Sequence, residues 1–224
     1  MAEQLTFNLP VRASLARGDF FVSEANVLAV ARLENVADWS LAKMVLIAPE
    51  GAGKTHLAHV WAEANGAIFL KPADLGALDV GTVSTAVVVD DADQLSTDEE
   101  VQLFHLHNHL GSNRLPFLLT AQEGPARWET SLPDLKSRLE ATDTVKIGAP
   151  DDALLSAMLV KLFTDRQLSV DPNLIPWLST RMERSFSGAQ SLVEALDKTA
   201  LATKRRVNRG LAATVLDKLS EDHT

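Results

Sequence analysis

Val45-Leu46-Ile47-Ala48-Pro49-Glu50-Gly51-Ala52-Gly53-Lys54-Thr55-His56-Leu57 is the stretch whose reading decides the fold. Its apolar opening reads as a strand, Pro49–Gly53 as a glycine-containing loop, and the residues from Gly53 onward as a helix. In a loop of this layout successive backbone N–H groups converge on an anion, and the helix N-terminus adds partial positive charge. Gly51 and Gly53 permit close backbone approach, Lys54 reaches toward β- and γ-phosphates, and Thr55 is placed to ligate Mg²⁺. The spacing departs from G-x-x-x-x-G-K-[ST] at one position, where Ala48 stands for the first glycine. A chance G-x-G-K-T in an ordinary strand–helix turn is the competing explanation, weakened by the strand before it and the helix after it.

A nucleotide site needs a second half on a neighbouring strand. Ala86-Val87-Val88-Val89-Asp90-Asp91 supplies a β-branched run ending in two carboxylates. Asp90 is the candidate to hold Mg²⁺ and Asp91 to polarise an attacking water; two acids in that place also suit a solvated strand end. On the next strand Thr120 follows Leu118-Leu119, where its hydroxyl is a candidate contact for a γ-phosphate or the water.

Working outward, apolar runs at 44–48, 67–70, 86–89, 115–119 and 144–147 alternate with helix-like stretches at 53–65, 97–110 and 133–139. That alternation implies an α/β domain with a mostly parallel sheet, here five-stranded, flanked by helices. Ser23 is a plausible cap for a first helix reaching Glu34. After Gly148-Ala149-Pro150-Asp151-Asp152 the stretches at 153–163, 172–182, 188–203 and 211–219 all read as helical. Three regions are expected: a lead-in tail (1–22), an α/β domain (23–149) and a small all-helical domain (150–224).

The 224 residues carry 21 Lys+Arg against 30 Asp+Glu, a net charge of −9, which disfavours non-specific wrapping of nucleic acid. With no cysteine, disulfides, thiol catalysis and thiolate zinc sites are excluded. No apolar run approaches the roughly 20 residues of a membrane helix, and the N-terminus lacks a signal-peptide profile, so a soluble, cytoplasmic protein with no membrane partner is expected.

With both motifs placed, the chain resembles the DnaA/Hda family of AAA+ proteins over nearly its whole length. Asp19-Phe20-Phe21-Val22 and Ser23-Glu24-Ala25-Asn26 are similar to the segment lining that family's adenine pocket. Gly51–Leu57 is similar to its phosphate loop with the following His-Leu, and Phe104-His105 with Asn108 to its helix after the paired acids. Leu135-Lys136-Ser137-Arg138 is similar to the segment carrying its arginine finger. The resemblance implies a P-loop AAA+ domain followed by a helical lid. The implied cofactor is ADP or ATP with Mg²⁺, held by Phe21, Val22, Pro49, Glu50, Gly51, Ala52, Gly53, Lys54, Thr55, His56 and Gln190. Thr55 and Asp90 are then the metal ligands, and Arg138, Asp91 and Thr120 the catalytic group. Gln190 falls where the family's second sensor arginine opens a lid helix; Ser187-Gly188-Ala189-Gln190 also fits a capping box, and Arg184 lies six residues earlier.

Two features favour the regulatory branch of the family. The sequence stops at Thr224, leaving no room after the lid for a helix-turn-helix domain. Gln4-Leu5-Thr6-Phe7-Asn8-Leu9 resembles a peptide that docks on the β sliding clamp of DNA polymerase III, Gln4 hydrogen bonding and Leu5, Phe7 and Leu9 entering an apolar groove. The implied partners are DnaA and the clamp, with DNA reached through the clamp and self-association left open. The implied activity is stimulation in trans of hydrolysis of DnaA-bound ATP, with at most weak turnover by the chain's own loop. An autonomous ATPase such as a helicase loader, and an interaction module with a vestigial nucleotide site, are the alternatives. His105, His107 and His109 supply too few ligands to argue for a metal. Lys204, Arg205, Arg206 and Arg209 read as a solvated helix end, and Trp39, Trp61, Trp128 and Trp177 as core or boundary aromatics.

Overall fold

The computed structural model describes residues 21–221; Gln4, Leu5, Phe7 and Leu9 lie outside the described residues. Helix α1 (Val27–Glu34) starts four residues beyond Ser23. The Ser23 hydroxyl does not cap it but accepts from the Ala25 amide at 3.2 Å, while Asn26 Oδ1 accepts from the Ser23 amide at 2.9 Å. These local bonds close a turn before α1, which is why the serine loses the capping role its sequence position implies.

Strand β1 (Lys43–Ile47) leads into α2 (Lys54–Asn65), which ends at Gly66 with φ 59°. Beyond it come β2 (Ile68–Leu70), β3 (Val87–Val89) and α3 (Thr97–Asn113), whose start is closed by Ser96 and Glu99 as a reciprocal capping box. Between β2 and β3 the chain runs through 3₁₀ turns at Pro72–Ala77 and Val80–Thr82. β4 (Phe117–Ala121), α4 (Pro133–Glu140) and β5 (Asp143–Lys146) complete a five-stranded sheet. Its order is β2-β3-β4-β1-β5 and every pairing is parallel.

Parallel sheets are covered on both faces, so their central strands are apolar throughout. β1 is buried at all five positions. Met44 and Leu46 enter one core cluster with Leu57, Trp61 and Val88, while Val45 and Ile47 enter another with Leu103, Leu106, Phe117 and Leu119. On the first side Trp39 stacks on Trp61 with centroids 5.3 Å apart.

Helices α5 (Asp152–Asp165), α6 (Leu174–Ser179), α7 (Phe186–Thr203) and α8 (Arg209–Glu221) follow β5. They bury their own cluster, including Leu155, Leu159, Phe163, Leu178, Leu192, Leu196 and Ala212. Leu154 and Phe186 pack instead into the sheet-side cluster, joining the helices to the α/β part. Asp151 strengthens the join: one carboxylate oxygen caps α5 through the Leu154 amide (2.8 Å) and the other accepts from the Ala25 amide (3.3 Å). Burial pushes this carboxyl up, but bonds from Leu154, Ser23, Ala25 and Ala153 outweigh it and hold it below its ordinary value. Among the described residues no helix is long and apolar enough to cross a membrane.

Candidate functional site

The loop after β1 is built from two left-handed glycines, Gly51 (φ 77°) and Gly53 (φ 83°), a conformation that side chains bearing a Cβ disfavour. Gly53 is the N-cap of α2, so the first amides of that helix have no intrahelical acceptor and face the loop's mouth. Ala48 occupies none of this strained backbone: it is fully buried in the core and its amide donates to Ala121 O at 3.0 Å. The turn proceeds without a glycine there because nothing at that position demands a positive φ.

Lys54 is buried at the start of α2 and its Nζ stands 3.1 Å from Asp91 Oδ1. The pair is ionic without hydrogen-bond alignment; Asp91 Oδ1 is buried and receives no hydrogen bond. Asp91 itself sits at φ 53°, an uncommon conformation for a non-glycine residue and a mark of constraint at functional places. Asp90 is 1% exposed and is addressed by two hydroxyls. Thr55 Oγ1 donates to it at 2.9 Å and Thr120 Oγ1 at 2.6 Å. Thr120 also accepts from the Asp91 amide at 2.9 Å, so its fully buried hydroxyl is committed to holding both acids in place.

Phe21 and Val22 pack at the edge of the core cluster that contains Ala48 and Ala52. The Gly148 amide donates to Ala25 O at 2.8 Å, laying residues 21–26 over the exit of β5. Pro49, Glu50 and His56 are exposed around the loop. Gln190 arrives from α7: a Cβ built on Gly51 would stand 2.8 Å from its Nε2. It does not close the helix start, because α7 opens earlier, with the Ser185 hydroxyl accepting from the Gly188 amide at 2.8 Å. Arg184 points elsewhere, paired with Asp152 at the head of α5.

The residues fit a nucleotide with its cation. The loop offers helix-start amides without an intrahelical acceptor and a lysine to an anion, an orphaned acid oxygen faces that lysine, and Thr55 and Asp90 gather the hard oxygen donors that Mg²⁺ takes.

Arg138 stands apart from these residues. It lies in the last turn of α4, exposed, with its guanidinium carbon 5.5 Å from the centroid of Phe104 and no carboxylate partner among the described residues. α4 ends at Glu140 and β5 begins at Asp143, opposite Met44, so Arg138 lies near the end of the sheet where β1 starts, away from the loop that leaves the other end of that strand. Lys43 is 5% exposed and donates to His107 O at 2.9 Å and to His107 Nδ1 at 3.0 Å. Burial first, then Arg138, brings the Lys43 ammonium down to about 8. Burial first, then Lys43 and Arg138, brings His107 down to about 3, as an imidazole accepting from an ammonium requires. Sequence reasoning missed this pair, although a lysine opening an otherwise apolar strand was its visible signal. The three histidines separate: His107 meets Lys43, His109 Nε2 lies 2.8 Å from Val83 O, and His105 is exposed.

Sheet order, loop and paired acids define a P-loop α/β architecture. More narrowly, the fold is similar to that of DnaA domain III. That domain from the Thermotoga maritima replication initiation protein matches with a TM-score of 0.70 at 16% identity, over 93% of this chain and 98% of that one. DnaA from Aquifex aeolicus bound to AMPPCP matches at 0.60 and 22% identity, over 83% of this chain and 66% of that one. The Thermotoga maritima RuvB Holliday junction branch migration motor matches at 0.56 and 17% identity, over 79% of this chain and 61% of that one. No protein-family model matches the chain. At these identities the likeness establishes the fold alone.

Proposed function

We propose that this chain is a nucleotide-binding AAA+ regulator of the Hda type, which stimulates hydrolysis of DnaA-bound ATP and so limits replication initiation. Its own loop, residues 49–56, holds ADP or ATP, with Phe21 and Val22 against the base and residues 150–224 serving as a lid that brings Gln190 to Gly51. Thr55 and Asp90 hold Mg²⁺, whose chemistry there is to neutralise phosphate charge. Lys54 binds the phosphates, Asp91 orients a water, and Thr120 fixes the two acids. Gln4, Leu5, Phe7 and Leu9 dock on the β sliding clamp, which carries the protein to DNA.

The observation that carries the reading is the place of Arg138. The α4–β5 junction sits opposite Met44 at the start of β1, about one strand length (roughly 13 Å at about 3.3 Å per residue) from the loop that follows Ile47, and the Arg138 donors are unclaimed by any carboxylate among the described residues. An arginine so placed serves a nucleotide held by another subunit, where it neutralises charge developing on the transferred phosphoryl group; such fingers contribute about 10³–10⁵ in rate in other NTPases. The test is a reconstituted reaction of DnaA-ATP, clamp and DNA, with the parent or Arg138→Ala at equal clamp occupancy. The parent accelerates hydrolysis and the variant does not; equal acceleration by both removes the finger from the reading.

A further inference from the structure

Helix α3 turns one side toward α4 and β1, carrying Glu100, Phe104 and His107 at i, i+4 and i+7. Each holds something that bears on Arg138. Buried Glu100 accepts from the Ser131 amide at 2.9 Å and from its hydroxyl, fixing the approach to α4. Phe104 lies under the guanidinium at 5.5 Å. His107, three residues on along the same side of α3, accepts the buried Lys43 ammonium at its carbonyl at 2.9 Å and so fixes the helix against the start of β1. A guanidinium on a ring face keeps its in-plane N–H donors free, because the attraction uses the ring's quadrupole rather than those donors. A carboxylate partner would have consumed them.

We infer that Phe104 is a positioning residue for Arg138, its ring holding the guanidinium extended with its donors available to a phosphoryl group on another subunit. The inference rests on the reading that Arg138 acts in trans. Neither residue touches the chain's own loop, so the ring tunes only the outgoing function. The aromatic ring itself is required: an aliphatic side chain of similar volume fills the half-buried position but offers no quadrupole.

The experiment pairs a direct measurement with the reconstituted reaction. In NMR of the parent protein, the Arg138 δ-methylene protons are expected upfield of those of exposed arginines through the Phe104 ring current. Phe104→Leu abolishes that shift while leaving amide resonances of β1, β4 and α2 in place, and Phe104→Trp retains it. In the reaction, Phe104→Leu lowers maximal stimulation about 3- to 10-fold with an unchanged half-saturating concentration. Phe104→Trp restores it, and Phe104→Leu adds nothing to the loss in Arg138→Ala. Ordinary Arg138 shifts in the parent overturn the inference without recourse to any variant. Full stimulation by Phe104→Leu beside a silent Arg138→Ala overturns it and leaves the finger standing. Full stimulation by Arg138→Ala shows instead that the finger reading has failed, and the inference falls with it.

Discussion

Lys54 is buried and its ammonium has one ionic partner, Asp91 Oδ1 at 3.1 Å, so an arriving phosphate competes for a charge that is available. Lys54→Ala is expected to weaken ADP and ATP binding about 10- to 100-fold, the worth of one charge-assisted hydrogen bond. Calorimetry giving equal affinity for variant and parent would remove the loop from the proposed site. Ala48 leads to an opposite expectation. Its backbone has no positive φ and its methyl group is fully buried, so restoring the consensus glycine sacrifices packing and adds unfolded-state freedom. Ala48→Gly should cost about 1–2 kcal/mol of stability in urea unfolding and improve nucleotide affinity not at all. Tighter nucleotide binding by that variant would show that the missing glycine matters to the loop.

At the scale of elements, Glu100 is the hinge of the α3–α4 arrangement, since two donors of Ser131 end on its buried carboxylate. Glu100→Ala removes the buried charged acceptor of both Ser131 donors, which then turn to water, and is expected to lower stability by about 1–3 kcal/mol. Glu100→Gln, which keeps one acceptor oxygen, should lose less; equal urea midpoints for parent and Glu100→Ala would show the contact contributes nothing. Elements with strong local signals were legible in the sequence. β1 and α2 are set by an apolar run and a glycine loop, and α3 by the helix-like stretch at 97–110, which the structure carries on to Asn113. Helix starts misread wherever capping patterns compete over a few residues. Ser187–Gln190 has the capping-box spacing, yet Ser185 takes the role and leaves Gln190 free to meet Gly51. The 3₁₀ turns at Pro72–Ala77 and Val80–Thr82 carry no period that a sequence displays.

For the whole molecule, alternating runs imply a parallel sheet but not its order. β1 lies between β4 and β5, neither its neighbour in sequence, and because β1 and β4 run parallel, Lys43 and Phe117 sit together at one end of the strands and the phosphate loop at the other. The same order brings Lys43 under α3, where its bond to His107 couples global stability to pH. Lys43 is lowered from an ordinary 10.5 to about 8 and His107 from 6.5 to about 3. Between about 8 and 10.5 the unfolded chain binds a proton at Lys43 that the folded chain has released, so stability rises with pH across that window. Between 6.5 and about 3 the unfolded chain protonates His107 and the folded chain does not, so stability falls as pH drops through that window. Each group contributes at most about 1.4 kcal/mol per pH unit, and between 6.5 and 8 the pair contributes no slope. His107→Gln keeps an acceptor for the ammonium and cannot titrate, so it should flatten the acid limb between pH 6.5 and 5, where the ordinary carboxylates have scarcely begun to protonate. Urea midpoints measured at half-unit intervals for parent and variant decide it: an acid slope of equal steepness in both would place the pH sensitivity outside the Lys43–His107 pair.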